Sequence, residues 1–324
     1  MTTNTRAKIL EYTRLHNQVR AHDLTRVLGI TRASVHRQLN KLINEGKLEK
    51  IGKPPKVYYF LSSKKISKQL SGDKATVDLI NDRYLYISPI GEERQGWEGF
   101  IAWCEKTKQD PVKTAIEYIS TIKRYDKFKK NGIINGMPKM KNTFKDVYLD
   151  KLYYLDFYSI ERFGKTKLGQ MLLYAKQSQN VGLINQLINQ IRPEIIRVIK
   201  ENKIEGILFV PPTVKREIQF VKELEKQLDL PTRALSVTKI KTEIIIPQKT
   251  LSKLEDRVEN AKRTIIIDDK KEYTNVLLID DAVGSGATMN ETAKKIKDKN
   301  LVSGEIIGLA ITGSFKGFDI ISEI

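Results

Sequence analysis

Cysteine occurs once in the 324 residues, at Cys104, and histidine only three times. An internal disulfide is therefore impossible, and a Cys/His zinc site is not expected. No apolar run reaches the ~18 residues that a membrane-crossing helix needs, so no membrane partner is expected. The opening MTTNTRAKILEY has no apolar stretch of the kind a secretory signal carries, and a cytoplasmic location is the expectation. Internal repeats and low-complexity tracts are missing as well. Acidic residues are outnumbered, 39 Asp and Glu against 57 Lys and Arg, which leaves a formal net charge of +18. That excess favours polyanionic partners such as nucleic acid or phosphorylated ligands. A basic proteome or a Lys- and Glu-rich thermophilic surface would also produce it, so charge needs support from motifs.

What is present is core material: 40% apolar and 30% charged residues over a length that suggests two or three domains. Ile9, Leu10 and Leu15 outline a first helix, and Leu24, Val27 and Leu28 a second that Gly29 ends. Thr31 is placed to cap a third, RASVHRQLNKLINEG, whose apolar face is Val35, Leu39, Leu42 and Ile43. Its other face carries Arg32, Ser34, His36, Arg37 and Asn40, with no acid among them. KLEKI and VYYFL then read as two strands joined by the basic tip GKPPK. Helix, turn, helix and a basic hairpin resemble a winged helix-turn-helix of the bacterial and archaeal regulator type. The resemblance implies double-stranded DNA as partner. The third helix would enter the major groove through those five residues, and Lys53 and Lys56 would approach the flanking backbone. A winged helix used for protein docking is the plainer alternative.

Residues 63–149 are expected to be a polar, basic linker followed by a mostly helical connecting region. GWEGFIAWCEK and PVKTAIEYISTIKRY have helical patterns, the second with Ile116, Ile119 and Ile122 apolar. Trp97, Trp103 and Cys104 read as core. KFKKNGIINGMPKMKN reads as a basic loop.

From Glu205 onward the pattern is βαβ-like, within a last domain expected to span residues 150–324. GILFV, VLLID and GEIIGLAIT are apolar enough for strands of a parallel sheet covered on both faces. PPT leads from the first into a helix with Val214, Ile218, Val221 and Leu228 apolar. MNETAKKIKDKN follows the second, with Met289, Ala293 and Ile296 facing inward. Such sheets bind ligands at the carboxyl ends of their strands. That location is expected to hold Asp280 and Asp281, with the small-residue turn Gly284, Ser285, Gly286, Ala287 and Thr288 above them. Converging backbone N–H groups and a helix N-terminus suit a phosphate there. The acids suit ribose hydroxyls or a bridging Mg²⁺.

Strand, DDAVGSGAT and helix resemble the phosphoribosyl pyrophosphate (PRPP) motif of type I phosphoribosyltransferases. The resemblance implies a parallel sheet flanked by helices, Asp280 and Asp281 on the ribose hydroxyls, a 5′-phosphate loop at 284–288, and Mg²⁺ arriving with PRPP. More of residues 150–314 is similar to the ComF-like branch. MLLYAKQSQN resembles its lysine-containing helix ahead of the first core strand. LFVPPTVKRE resembles its pyrophosphate turn, which brings in Pro212, Thr213, Lys215 and Arg216. QKTLSKLEDRVENAK resembles a signature in the hood over the site, matched at Gln248, Leu251, Arg257 and Asn260, with Lys239 and Lys241 nearby. Two features depart from the branch. A winged helix stands where a four-cysteine zinc ribbon is usual, and the spacing from Leu251 to Arg257 is one residue longer.

SIERFGKT, ending in Gly-Lys-Thr, offers a rival reading as an ATP-binding P-loop. Ser159 replaces its first glycine, however, and Glu161 and Phe163 oppose phosphate by charge and bulk. Two functional classes remain. One is a DNA-binding regulator that senses PRPP or a nucleotide, as in purine repressors that join a winged helix to such a domain. The other is an active phosphoribosyltransferase that uses the winged helix for localisation. The regulator is preferred because a DNA-reading domain fused to a ligand domain couples the two most simply. A homodimer is expected.

Overall fold

The computed structural model describes residues 2–16, 18–62, 74–212, 217–230, 233–239, 251 and 253–315. The expected linker at 63–73 lies outside them, as do Val214 and the candidate site residues Thr213, Lys215, Arg216, Lys241 and Gln248.

Three helices, α1 (Thr2–His16), α2 (Ala21–Leu28) and α3 (Arg32–Asn44), precede an antiparallel hairpin of β1 (Leu48–Lys53) and β2 (Lys56–Leu61). Ile9, Leu24, Val35, Leu39, Leu42, Leu48 and Tyr59 close a core of their own. Gly29, at φ 63°, ends α2 in the left-handed conformation that side chains resist. The Thr31 hydroxyl accepts the Ser34 N–H at 3.3 Å and starts α3. Leu15 and Val27, expected inside, are exposed instead. The eight-residue α2 presents only a narrow stripe to its neighbours, and Leu24 fills it.

The next stretch holds α4 (Lys74–Arg83), β3 (Leu85–Ile87), β4 (Glu93–Gln95), α5 (Gly96–Thr107) and α6 (Pro111–Asp126). Asp110 caps α6 by accepting the Lys113 N–H at 2.8 Å, with Pro111 at its first turn. The buried row of α6 is Ala115, Tyr118, Ile122 and Tyr125, whereas Ile116 is 64% exposed. The tyrosines therefore define the inward face, rather than the isoleucine row. Cys104 is buried, and Trp97 and Trp103 pack against the same core. The segment read as a basic loop is ordered into β5 (Lys129–Lys130), β6 (Ile133–Asn135) and α7 (Met137–Thr143). Its glycines do local work there, Gly132 turning the hairpin at φ 79°.

The remainder is mixed α/β: β7 (Lys151–Phe157), β8 (Ser159–Ile160), β9 (Gly164–Lys165), α8 (Lys167–Ser178), α9 (Val181–Glu201), β10 (Gly206–Phe209), α10 (Phe220–Leu228), β11 (Arg233–Ala234), β12 (Val237–Lys239), α11 (Leu254–Thr264), β13 (Ile265–Ile267), β14 (Val276–Val283), α12 (Ala287–Asp298) and β15 (Ile306–Gly313). The central sheet runs β11-β10-β14-β15-β7-β6-β5; the first five strands are parallel, β6 is antiparallel to β7, and β5 is antiparallel to β6. Every residue of β10 and β15 is buried, as full coverage on both faces requires.

One face is covered by α8, α9 and α10, which bury Leu172, Ile188, Leu224 and others against Leu277, Ile279 and Leu309. The other is covered by α12, by β13 and by the helices of residues 74–143. Helix α10 begins only at Phe220, so Ile218 precedes it, and its buried row is Phe220, Val221, Leu224 and Leu228. After β10 the chain turns outward to β11, and after β14 it turns the other way to β15. Right-handed crossovers in opposite directions put α10 and α12 on opposite faces and open a crevice between the ends of β10 and β14. Among the described residues, no helix is long and apolar enough to cross a membrane.

Candidate functional site

Strand β14 runs through VLLIDDAV, three residues beyond the apolar VLLID. Asp280 and Asp281 therefore lie inside a paired strand, where successive side chains point to opposite faces. Asp280 pairs in register with Ala310, on the face that carries Leu278, and lines a cavity of about 290 Å³. Asp281 is on the face that carries Ile279, where its Oδ2 accepts from Lys176 Nζ of α8 at 2.6 Å. The two acids expected side by side on one ligand are thus divided between a cavity and an ion pair.

The cavity's remaining wall is the turn itself, Ala282–Met289, with Arg257 of α11 opposite. Gly286, at φ 91°, begins α12, and no side chain caps that helix. The Ala287 N–H donates to Ser285 Oγ at 3.4 Å, and Ala287, Thr288 and Met289 of this first turn line the cavity. A Cβ on Gly286 would sit 2.4 Å from Met140 Sδ, so glycine is required both by φ and by the close approach of α7. Asn290 holds the other side of the same turn: its Oδ1 accepts the Tyr148 N–H at 2.9 Å and its Nδ2 donates to Asp146 O at 2.9 Å. Gly284 faces more open space, with Arg257 Nη1 3.9 Å from where its Cβ would be.

Burial pushes the Asp280 carboxyl up to about 7; Asp281 adds to the rise, while the Asp281 N–H at 2.8 Å, Lys176 and Lys239 oppose it. Burial conversely lowers Lys239 on β12, against the pull of Asp280. Tyr158, partly buried near Asp281, is shifted upward by burial and then by that carboxylate. An anion entering beside Asp280 would meet Arg257 and the small-residue turn, with Lys239 near enough to Asp280 to add to the positive field. A Mg²⁺ ion brought in by phosphates would find one carboxylate and room for its waters, a fit in keeping with that ion's usual sites.

Arg257 also donates through Nε to Leu251 O at 2.7 Å, which anchors α11 over the turn. Asn260 is one helical turn further on, its Oδ1 buried without a hydrogen-bond partner among the described residues. Pro212 is exposed just beyond β10. Sequence reasoning did not single out Met140 or Asn290, which support the turn from distant segments, and Lys176 entered only as the lysine of a resembling stretch. Gly164-Lys165-Thr166, the end of the P-loop rival, forms no cradle. Ser159 and Ile160 pair with Lys165 and Gly164 in a tight hairpin, and the Thr166 hydroxyl is spent accepting Gly169 N–H and donating to Phe157 O.

At the other end of the chain, Arg32, Arg37 and Asn40 are exposed on α3, and Lys53 and Lys56 at the hairpin tip. His36 is half-buried, and Ser34 is drawn into the cap, its oxygen accepting the Thr31 hydroxyl at 3.0 Å.

Fold and site together define a mixed α/β protein with a small-residue turn and a half-buried carboxylate at the carboxyl ends of a mostly parallel sheet. No model of a known family matches the sequence, and no curated protein matches it.

Proposed function

We propose that this protein is a DNA-binding transcription regulator whose α/β part, of the type I phosphoribosyltransferase kind, senses PRPP or a nucleotide. The observation that carries this reading is the cavity enclosed by Asp280, Arg257 and the turn 284–288 at the start of α12. It offers a phosphate the backbone donors and cation it needs, and offers a ribose one carboxylate. Support for the DNA half is the exposed basic face of α3 next to a hairpin tipped by two lysines, in the order of a winged helix. A homodimer would present two such helices to half-sites about one turn apart. Mg²⁺ would accompany the ligand's phosphates.

The test is linkage. A labelled duplex, selected by the full-length protein from a random pool, is titrated at fixed ionic strength and free Mg²⁺, with and without saturating PRPP. PRPP is expected to weaken DNA binding about 5- to 150-fold, the usual range of allosteric coupling. Asp280→Asn should abolish that shift, whereas nonspecific competition between polyanions would survive it. Arg37→Ala should blur sequence discrimination, and Lys53→Ala should weaken all duplexes alike. Unchanged DNA affinity with PRPP would end the sensor reading. Pyrophosphate release from PRPP with a base as acceptor would establish the transferase instead.

A further inference from the structure

A second cavity, of about 310 Å³, lies away from the β14 turn. Its origin is topological. Among the described residues, strand β6 pairs with β7 at Tyr153 and Tyr154, and no strand pairs with the last residues of β7 on that edge. The gap is bounded by α4 and α6 on one side and by α8 and α9 on the other.

The walls carry charges of both signs. Arg83 Nη1 is 3.3 Å from Asp126 and its Nε 2.9 Å from Asp82, and Lys129 Nζ is 3.8 Å from Asp156. Lys167 Nζ donates to the Asp82 carbonyl at 2.9 Å, and the Glu194 carboxylate is met by Arg197. A Cβ on Gly132, at φ 79°, would lie 3.1 Å from Glu194 Oε2, so the hairpin glycine keeps that wall open. Burial raises the Asp156 carboxyl above the ordinary range, although Lys129, the Phe157 N–H and Arg83 draw it down. The floor is aliphatic: Ile122, Ile134, Leu155, Leu168 and Ile191.

We propose that this cavity is a binding site for a free α-amino acid with an apolar side chain. One recessed carboxylate, Asp156, next to Lys129 and within a lining of almost balanced charge, selects a zwitterion over a net anion or cation. The ammonium would replace part of the hydration lost by Asp156, and the carboxylate would be taken by Lys129 or Lys167. The side chain would cover the aliphatic floor. A phosphate, with its greater negative charge and no ammonium to offset it, would be opposed by the carboxylates of Asp82, Asp126, Asp156 and Glu194 in the same lining.

The test is calorimetry on the full-length protein with leucine, isoleucine, valine, methionine and phenylalanine, and with glutamate, lysine, adenine and inorganic phosphate as contrasts. At least one apolar amino acid should bind, and neither its amide nor its deaminated acid should. Asp156→Asn should weaken that binding at least tenfold with the circular dichroism spectrum unchanged. Lys167→Gln, at a half-exposed position, should do so independently should the first variant fold poorly. No heat from any apolar amino acid at 10 mM, or binding untouched by both substitutions, overturns the proposal. Preferential binding of adenine or phosphate would overturn it too. The PRPP linkage experiment does not depend on this cavity, so each reading stands or falls alone.

Discussion

Replacing Gly286 with alanine should damage the protein through two separable effects. The residue sits at φ 91°, ψ −1°, a conformation that costs a side-chain-bearing residue about 1–2 kcal/mol. The new methyl would also lie 2.4 Å from Met140 Sδ and 3.1 Å from its Cε, with Met140 fully buried. Methionine yields more easily than a branched residue, so the overpacking should cost about 1–2 kcal/mol, the low end for a filled core. The expected loss is about 2–4 kcal/mol. Trp97 and Trp103 pack against the core that includes Met140, so their fluorescence in urea follows the affected unit.

Met140→Ala alone should cost about 2–5 kcal/mol as a cavity. The double variant keeps the φ cost but loses the collision, and should fall short of the sum of the singles by about 1–2 kcal/mol. Gly284→Ala is the control: its Cβ would meet only Arg257 Nη1, at 3.9 Å, and the change should stay within ~0.5 kcal/mol. A Gly286→Ala protein as stable as that control, or strictly additive singles, would refute the claim that α7 forces the shape of the turn.

Asp280 should make the protein less stable as pH rises. Its carboxyl is raised to about 7 when folded, so between about pH 4 and 7 the folded state holds a proton that the unfolded state has released. Below that window the effect vanishes. Asp280→Asn should flatten this slope and be more stable at pH 8 by at least about 1 kcal/mol, while binding PRPP less well. Lys176→Met should cost about 1–3 kcal/mol, between the values for exposed and buried pairs, because Asp281 is only 15% exposed. Adding Asp281→Asn should recover most of it in urea unfolding. Thr31→Ala should remove about 1 kcal/mol from the amino-terminal unit alone, since that unit has its own core. Hydrogen exchange along α3 would report it.

Local pattern sufficed wherever one element could be recognised without its neighbours. The apolar runs of β10 and β15 announce strands covered on both faces, and the spacing of Val35, Leu39 and Leu42 announces α3. Gly29 and Thr31 mark where helices stop and start, because a φ preference and a hydroxyl cap act within four residues. The turn 284–288 was legible for the same reason. Strand β7 was harder. Its Lys151 and Asp156 interrupt the apolar run, and only its place between β15 and β6 makes it a strand of the central sheet.

Contacts between distant segments were decided by the tertiary structure. Nothing in DDAVGSGAT says that β14 continues to Val283, yet pairing of Ala282 with Thr312 and of Val283 with Gly313 extends it, and the pleat then turns Asp280 and Asp281 apart. Met140 against Gly286, Asn290 against Asp146 and Tyr148, and Lys176 against Asp281 join positions more than 100 residues apart. The cavity at Asp156 exists only because β6 stops short of the end of β7. Propensity, capping and periodicity act along a few turns of chain, and so they can be read from neighbouring letters. Burial, strand partners and the field at a carboxylate depend on what the folded chain brings next to it.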